Sequence, residues 1–476
     1  MRGAATMNGK PEHILFLTGR LAAPQLRKVL EAMQPTPFTY RVHDIGVSVA
    51  ALMTTDMVRR RLPDALGADR VLLPGRCRGE LEPLVHHLGV PVERGPEELK
   101  DLPAYFGRGA VLPDYSRYDI LLFAEIVDAP QLPLEAIHER ARHYRESGAD
   151  VVDLGCLPGT PFPHLEEAVT SLHAAGYAVS VDSLDPDDLR RGARAGADYL
   201  LSLKEDTLWL AEETDAVPVL IPARTGDLDS LERAAAALAR RGRRCLLDPV
   251  LDPIHFGFVD SLLRYRELRR RLPEAELFMG TGNLTELTDA DTSGITAILF
   301  GAASELGIRH VLTTEVSAHA RAAVREADIA RRLMYAARAE HGLPRSLHPG
   351  LLQVHERHPF PYTAEEIREL ARAIRDPSFR IQVSAEGIHV YNRDGMRTAT
   401  DPFALFPHLA VENDGAHAFY LGVELARAQI AWQLGKRYTQ DEELDWGAAL
   451  ARAPEDRSRY KAPGATLAAR PAHPPP

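Results

Sequence analysis

The chain has 476 residues, 45% of them hydrophobic, and a formal net charge of −11. That length exceeds one ordinary domain and that apolar content exceeds what a disordered chain carries, so two or three domains with their own cores are expected. The acidic balance argues against nucleic acid or an anionic membrane as partner and leaves a small molecule as the expected ligand.

Short β-like runs at 13–17, 40–45, 70–73 and 90–92, with helical segments such as 23–33 between them, predict a small parallel α/β domain over residues 1–115. The turn "LFLTGRLA" lacks the Gly-Lys-Ser/Thr ending of a phosphate-binding loop and reads as an ordinary βα connection. After "VLPDYSRY" the alternation becomes strict, with strands predicted at 120–125, 151–154, 178–182, 199–202, 217–221, 245–248, 276–279 and 310–313. Eight such units are the count of a closed parallel (βα)8 (TIM) barrel, assigned to residues 118–340. The Ala/Arg-rich helix at 318–340 completes it, and the glycines and prolines of "HGLPRSLHPG" end it. A C-terminal α+β domain is predicted over 345–462, with a helix at 363–374, a hairpin in "FRIQVSAEGIHVYNRDG" and a long helix at 416–435. The last residues, 463–476, read as a disordered tail.

Cys77, Cys156 and Cys245 match no zinc or redox spacing and read as buried thiols of a reducing compartment. No apolar run reaches the ~18 residues a membrane span needs. The N-terminal stretch lacks the long hydrophobic segment of a secretory signal, so a cytoplasmic location is expected.

A barrel of this kind carries its chemistry at the C-terminal ends of its strands. There stand Glu125 and Asp128 after the first strand, Asp153 on the second, Asp182 on the third, and Ser202 and Lys204 on the fourth. Asp248 ends the sixth, Asn283 follows the seventh, and Thr314 and Glu315 follow the eighth. Any one of these acids could be a helix N-cap. That fits poorly for Asp182, where Ser183 and Asp185 are better-placed caps, and for Asp248, which is followed by a proline and a loop. Acids converging on one apolar-walled cup repel each other unless a ligand offers donors or positive charge. An aminopyrimidinone ring meets that need, because one carboxylate accepts two parallel hydrogen bonds from its ring N–H and exocyclic amine. A divalent cation meets it too. With no histidine at ligand spacing, Mg²⁺ is favoured over zinc.

At these residues the sequence resembles dihydropteroate synthase and the wider pterin-binding barrel family. "GADVVDLGCLPGTP" is similar to the family's second-strand motif, "VSVDS" to its third-strand Ile-Ser-Ile-Asp-Thr, and "CLLDPV" to its sixth-strand Asp-Pro motif. The resemblance covers about residues 118–335. It implies a small-molecule pterin substrate and a catalytic role for Asp182 and Asp248, with Asp153, Ser202 and Asn283 completing the pterin pocket. It further implies a diphosphate and metal region at Glu125, Asp128 and Lys204, with Glu125 and Asp128 as Mg²⁺ ligands, and a homodimer.

Three family motifs are replaced. "AEIVDAP" stands where the first strand normally has Asn-Thr-Pro-Asp-Ser, "GTGNLTEL" where the seventh has Ser-Arg-Lys, and "TTEV" where the last has Arg-x-His. The three-part layout, with "YNRDG", "DPFALFPHL" and "HAFYLGVELARAQIAWQLGKRYTQD" in its last part, resembles the dihydropteroate synthase-related proteins of archaea and of bacteria that make tetrahydromethanopterin. The implied reaction is a transferase step joining 6-hydroxymethyl-7,8-dihydropterin diphosphate to a ribofuranosyl-aminobenzene type of arylamine. The alternatives are a non-catalytic pterin carrier and a pterin-dependent methyltransferase-type enzyme. In the C-terminal helix, His417, Glu424 and Arg427 can share one face. The other reading of that helix is plain amphipathic packing through Phe419, Leu421, Leu425 and Trp432.

Overall fold

The computed structural model describes residues 11–47, 49–97, 99–107, 115–345 and 347–451; the tail predicted at 463–476 lies outside them. Four short strands, β1 (His13–Thr18), β2 (Thr39–Asp44), β3 (Arg70–Leu73) and β4 (Val92–Arg94), form a parallel sheet in the order β2-β1-β3-β4. The run "ILFL" within β1 is apolar throughout because both faces of the strand are covered. Leu15 and Leu17 pack into one cluster with Val71 and Leu73, and Ile14 and Phe16 into another with Leu26, Leu30 and Leu72.

Eight further strands close a parallel barrel: β5 (Leu121–Ile126), β6 (Val151–Gly155), β7 (Ala178–Asp182), β8 (Tyr199–Leu203), β9 (Val217–Leu220), β10 (Leu246–Leu247), β11 (Glu276–Gly280) and β12 (His310–Thr314). Strand periodicity sorts their side chains. Leu122, Ala124, Val152, Leu154, Val179 and Val181 pack outward into the main core under the helices. Phe123, Val151, Leu201, Val219, Leu246, Phe278 and Leu312 fill the barrel interior. Two residues further along the same inward faces come Glu125, Asp153 and Asp248, so the carboxylates stand on an apolar plug.

Two Gly-Ala-Asp turns set the N-terminal ends of neighbouring strands. Asp150, just before β6, accepts the Leu122 N–H of β5, and Asp198, just before β8, accepts the Val179 N–H of β7, both at 2.8 Å.

The predicted hairpin near the C-terminus is a three-stranded antiparallel meander of β13 (Arg380–Ser384), β14 (Gly387–Asn392) and β15 (Gly395–Ala399). The third strand, "GMRTA", was illegible because as an exposed edge it carries no apolar alternation. The chain divides into two compact units, the barrel unit with Trp446–Ala451 and a second unit that combines the N-terminal sheet with Val354–Asp445. Segments read in the sequence as separate N- and C-terminal domains thus share one unit. Within it Leu21 packs against Ile367, Ile374 and Tyr391, Arg437 pairs with Asp101 at 3.0 Å, and Arg76 pairs with Glu442 at 2.9 Å.

The long helix, Gly415–Leu434, buries Leu421 and Leu425, but Phe419 is 67% exposed, against the packing reading. Of the three polar residues on it, buried Glu424 accepts hydrogen bonds from Arg427, the Tyr438 hydroxyl and the Asp441 N–H. His417 pairs with Asp414, whose side chain caps the helix. All three are occupied in holding the helix. Among the described residues no helix is long and apolar enough to cross a membrane, and the three cysteines are free thiols, with Cys77 buried and Cys156 and Cys245 partly so.

Candidate functional site

The C-terminal ends of β5–β8 surround a cavity of about 690 Å³, whose walls include Glu125, Asp182, Ser202 and the loop from Cys156 to Pro163. Register places Glu125 beside Asp153, and Asp153 beside Ser180. The carboxylates of Glu125, Asp153 and Asp182 converge, with an oxygen of each within 4.8 Å of the others. Ser180 donates to Asp153 Oδ1, while Oδ2 of this fully buried residue has no partner. Such a buried acceptor is unfavourable without a donor or a cation.

Ser202 donates to Asp182 Oδ1 at 2.6 Å. Strict alternation after inward Leu201 would turn Ser202 toward the helices. Instead the register of β8 shifts between Leu200 and Leu203, and Ser202 takes a left-handed φ of 67°. That conformation is costly for a non-glycine residue, and it brings the hydroxyl to the acid.

Burial raises all three acids, and repulsion from neighbouring carboxylates adds to it at Glu125 and Asp153. Glu125 is pushed up to about 8, by loss of solvent first and by Asp182 second. Asp153 is held well above the carboxylate range by burial and by both neighbours, and Asp182 is raised by burial against the opposing pull of Ser202. Asp248 sits close enough to feel Asp182. It accepts from the Tyr265 hydroxyl at 2.6 Å and the Val250 N–H at 2.8 Å, and burial pushes it up to about 6.

The arrangement is an acceptor-rich cup, and its one wall arginine is already committed. Arg191 donates to Glu166 and to the Phe162 carbonyl, each at 2.7 Å, and to Asp188 at 3.3 Å.

Of the residues expected at the site, Glu125, Asp153, Asp182 and Ser202 come together and Asp248 lies nearby. Asp128 and Lys204 are not among those lining the cavity. The carboxylate group that could hold a cation pairs Glu125 with Asp153 and Asp182, and Asp128 is outside it. Asn283 donates to the Leu251 carbonyl at 2.7 Å, tying two loops together. Glu315 is occupied by the Val324 N–H and His143, and Thr314 donates to Glu286.

Tyr265 and Ser180 were not anticipated. Gly155 had a signal in the "VVDLG" motif: a Cβ there would stand 2.5 Å from Glu125 Oε1. Gly155→Ala is therefore expected to leave the barrel folded while displacing the Glu125 carboxylate. Thermal melts from pH 5 to 9 should show the pH dependence of stability altered in the variant, and a profile identical to the wild type's would contradict this role.

Residues 12–97 match a family model described as a family of unknown function, DUF6513. The chain is 26% identical, over 90% of its length and 98% of the relative's, to "Uncharacterized protein MJ0107" of Methanocaldococcus jannaschii. Among solved structures it is similar to 7,8-dihydropteroate synthase from Vibrio fischeri ES114, at 16% identity and a TM-score of 0.37 over 46% of this chain and 94% of that one. A Yersinia pestis dihydropteroate synthase matches at 18% identity and a TM-score of 0.35, over 48% of this chain and 95% of that one.

Proposed function

We propose that the barrel binds a reduced pterin and joins 6-hydroxymethyl-7,8-dihydropterin diphosphate to an arylamine of the ribofuranosyl-aminobenzene type, as in tetrahydromethanopterin biosynthesis. The observation that carries this reading is the buried Glu125, Asp153 and Asp182 cluster, in which two serines are the donors and Asp153 Oδ2 has none. An aminopyrimidinone edge supplies parallel N–H donors to such a set, and the strand-end motifs around Asp153, Asp182 and Asp248 are those that resemble pterin-binding barrels.

In this reading Asp182, oriented by Ser202, and Asp248, held by Tyr265, accept the pterin's donors and stabilise the positive charge that develops as diphosphate leaves. The proton released by the attacking arylamine nitrogen can leave with the departing diphosphate, whose oxygens accept it. Glu125 and Asp153 offer hard oxygen donors, one of them the unpartnered Oδ2, and so fit Mg²⁺. Held there, it would supply charge neutralisation for the departing diphosphate.

The committed state of Arg191 favours one second reading, a pterin carrier that performs no condensation. Calorimetric titration with dihydropterin and its diphosphate, with and without Mg²⁺, tests both. Binding by the wild type and its loss in Asp182→Asn are expected. Indifference of the wild type to every pterin would sink both readings, and binding without turnover on a ribosylated arylamine would leave the carrier.

A further inference from the structure

The second unit holds an apolar cavity of about 320 Å³, within the ~300–1,000 Å³ range of small-molecule sites. It lies at the carboxyl ends of the parallel strands, bordered by Thr18 at the end of β1, by Pro74 and Gly75 after β3 and by Gly95 after β4. In the order β2-β1-β3-β4 the chain leaves β1 first to one side and then to the other, so the crevice between β1 and β3 is the switch point of the sheet. Open parallel sheets bind ligands there.

The cavity wall contains three aromatic rings, Phe16 from the sheet with Tyr362 and Tyr391 from the C-terminal segment of the same unit. Its polar groups are few. Thr18 is 2% exposed, and its hydroxyl donates to the Gly19 carbonyl at 3.5 Å, the outer limit of a hydrogen bond. Gln25 adds an amide that can both donate and accept. The charged groups on the wall are already engaged: Arg76 with Glu442, Arg380 with Asp376 through two bonds of 2.9 and 2.7 Å, and Glu97 with a partner of its own. No charge in the wall requires a charged ligand.

We propose that this cavity is a binding site for an uncharged, planar heteroaromatic compound of about purine-nucleoside size. The rings stack on its faces, and Thr18 and Gln25 bond its polar edge. The site is independent of the barrel cluster.

Isothermal titration of the full chain with adenosine and guanosine, and with their 5′-monophosphates, tests it. At least one nucleoside should bind at one site per chain, with the same affinity in Asp182→Asn. Thr18→Val, which keeps the side-chain shape, should weaken that binding by about tenfold, and Ala22→Phe, which fills the cavity, should abolish it. Near-ultraviolet circular dichroism of both variants checks that they fold. Failure of both nucleosides to bind the wild type, or wild-type affinity in both folded variants, would overturn the assignment. Binding of a monophosphate more than tenfold tighter than its nucleoside would overturn the uncharged class.

Discussion

Replacing Glu125 with glutamine is expected to stabilise the ligand-free barrel at pH 8 and, under the function proposed above, to remove binding of pterin or Mg²⁺. In the folded protein Glu125 is raised to about 8, and Asp153 and Asp182 are raised with it. Between the ordinary carboxylate range and about pH 8 the folded state therefore holds more protons than the unfolded state. The stability contributed by the protonated cluster is full below the unfolded values and is lost as pH rises through the folded ones. Glutamine cannot ionise, so the variant's melting temperature should exceed that of the wild type at pH 8 by an amount equivalent to about 4 kcal/mol, and the difference should shrink as pH falls and vanish below about pH 4. Thermal melts of both proteins from pH 5 to 9 measure this. A wild type at least as stable as the variant at pH 8 would contradict the cluster's electrostatics. Under the proposed Mg²⁺ role of this cluster, added Mg²⁺ should raise the wild-type melt and leave that of the variant in place.

At the opposite end of the barrel, Arg331→Met is expected to cost about 3–5 kcal/mol, or a fall of roughly 10 °C in melting temperature. Arg331 is 1% exposed. Its guanidinium donates to the Ile120 and Gly148 carbonyls at 2.7 Å each and to Asp328 at 2.9 Å, pairs with Asp150, and lies 3.6 Å from the Tyr118 ring centroid. The penalty comes chiefly from the Ile120 and Gly148 carbonyls left without this donor and from Asp150, which keeps the Leu122 N–H and Tyr118 hydroxyl but loses the opposing charge. Gly148 belongs to the same knot. It has a φ of 106°, and a Cβ there would lie 2.5 Å from Asp328 Cγ, so the glycine of "GAD" is required by conformation and by space together. Urea denaturation of Arg331→Met and of Arg331→Met/Asp150→Asn checks the argument. The double variant should recover part of the loss, and a single variant within 1 kcal/mol of wild type would contradict it.

The motif "GADVVDLG" shows how much was legible. Asp150 anchors the strand start, Val151 fills the interior, Val152 and Leu154 face the helices, Asp153 enters the cluster, and Gly155 leaves room for Glu125. Period-two alternation assigns each of these to a face once the strand is recognised. The same reasoning from Leu201 fails at Ser202, because a left-handed residue is a local conformation that alternation does not encode.

The amino-acid sequence by itself determined the eight barrel strands, their order and the acids at their ends, because apolar runs and turn residues are local signals. The tertiary structure alone decided which acids meet. Glu125 joins Asp153 and Asp182, and Asp128 stays outside, because strand stagger and the bend after β5 set side-chain direction. It also decided that the N-terminal sheet and Val354–Asp445 form one unit around a shared cavity. Contacts between segments that far apart in the chain, such as Leu21 with Tyr391, leave no periodic trace in either segment.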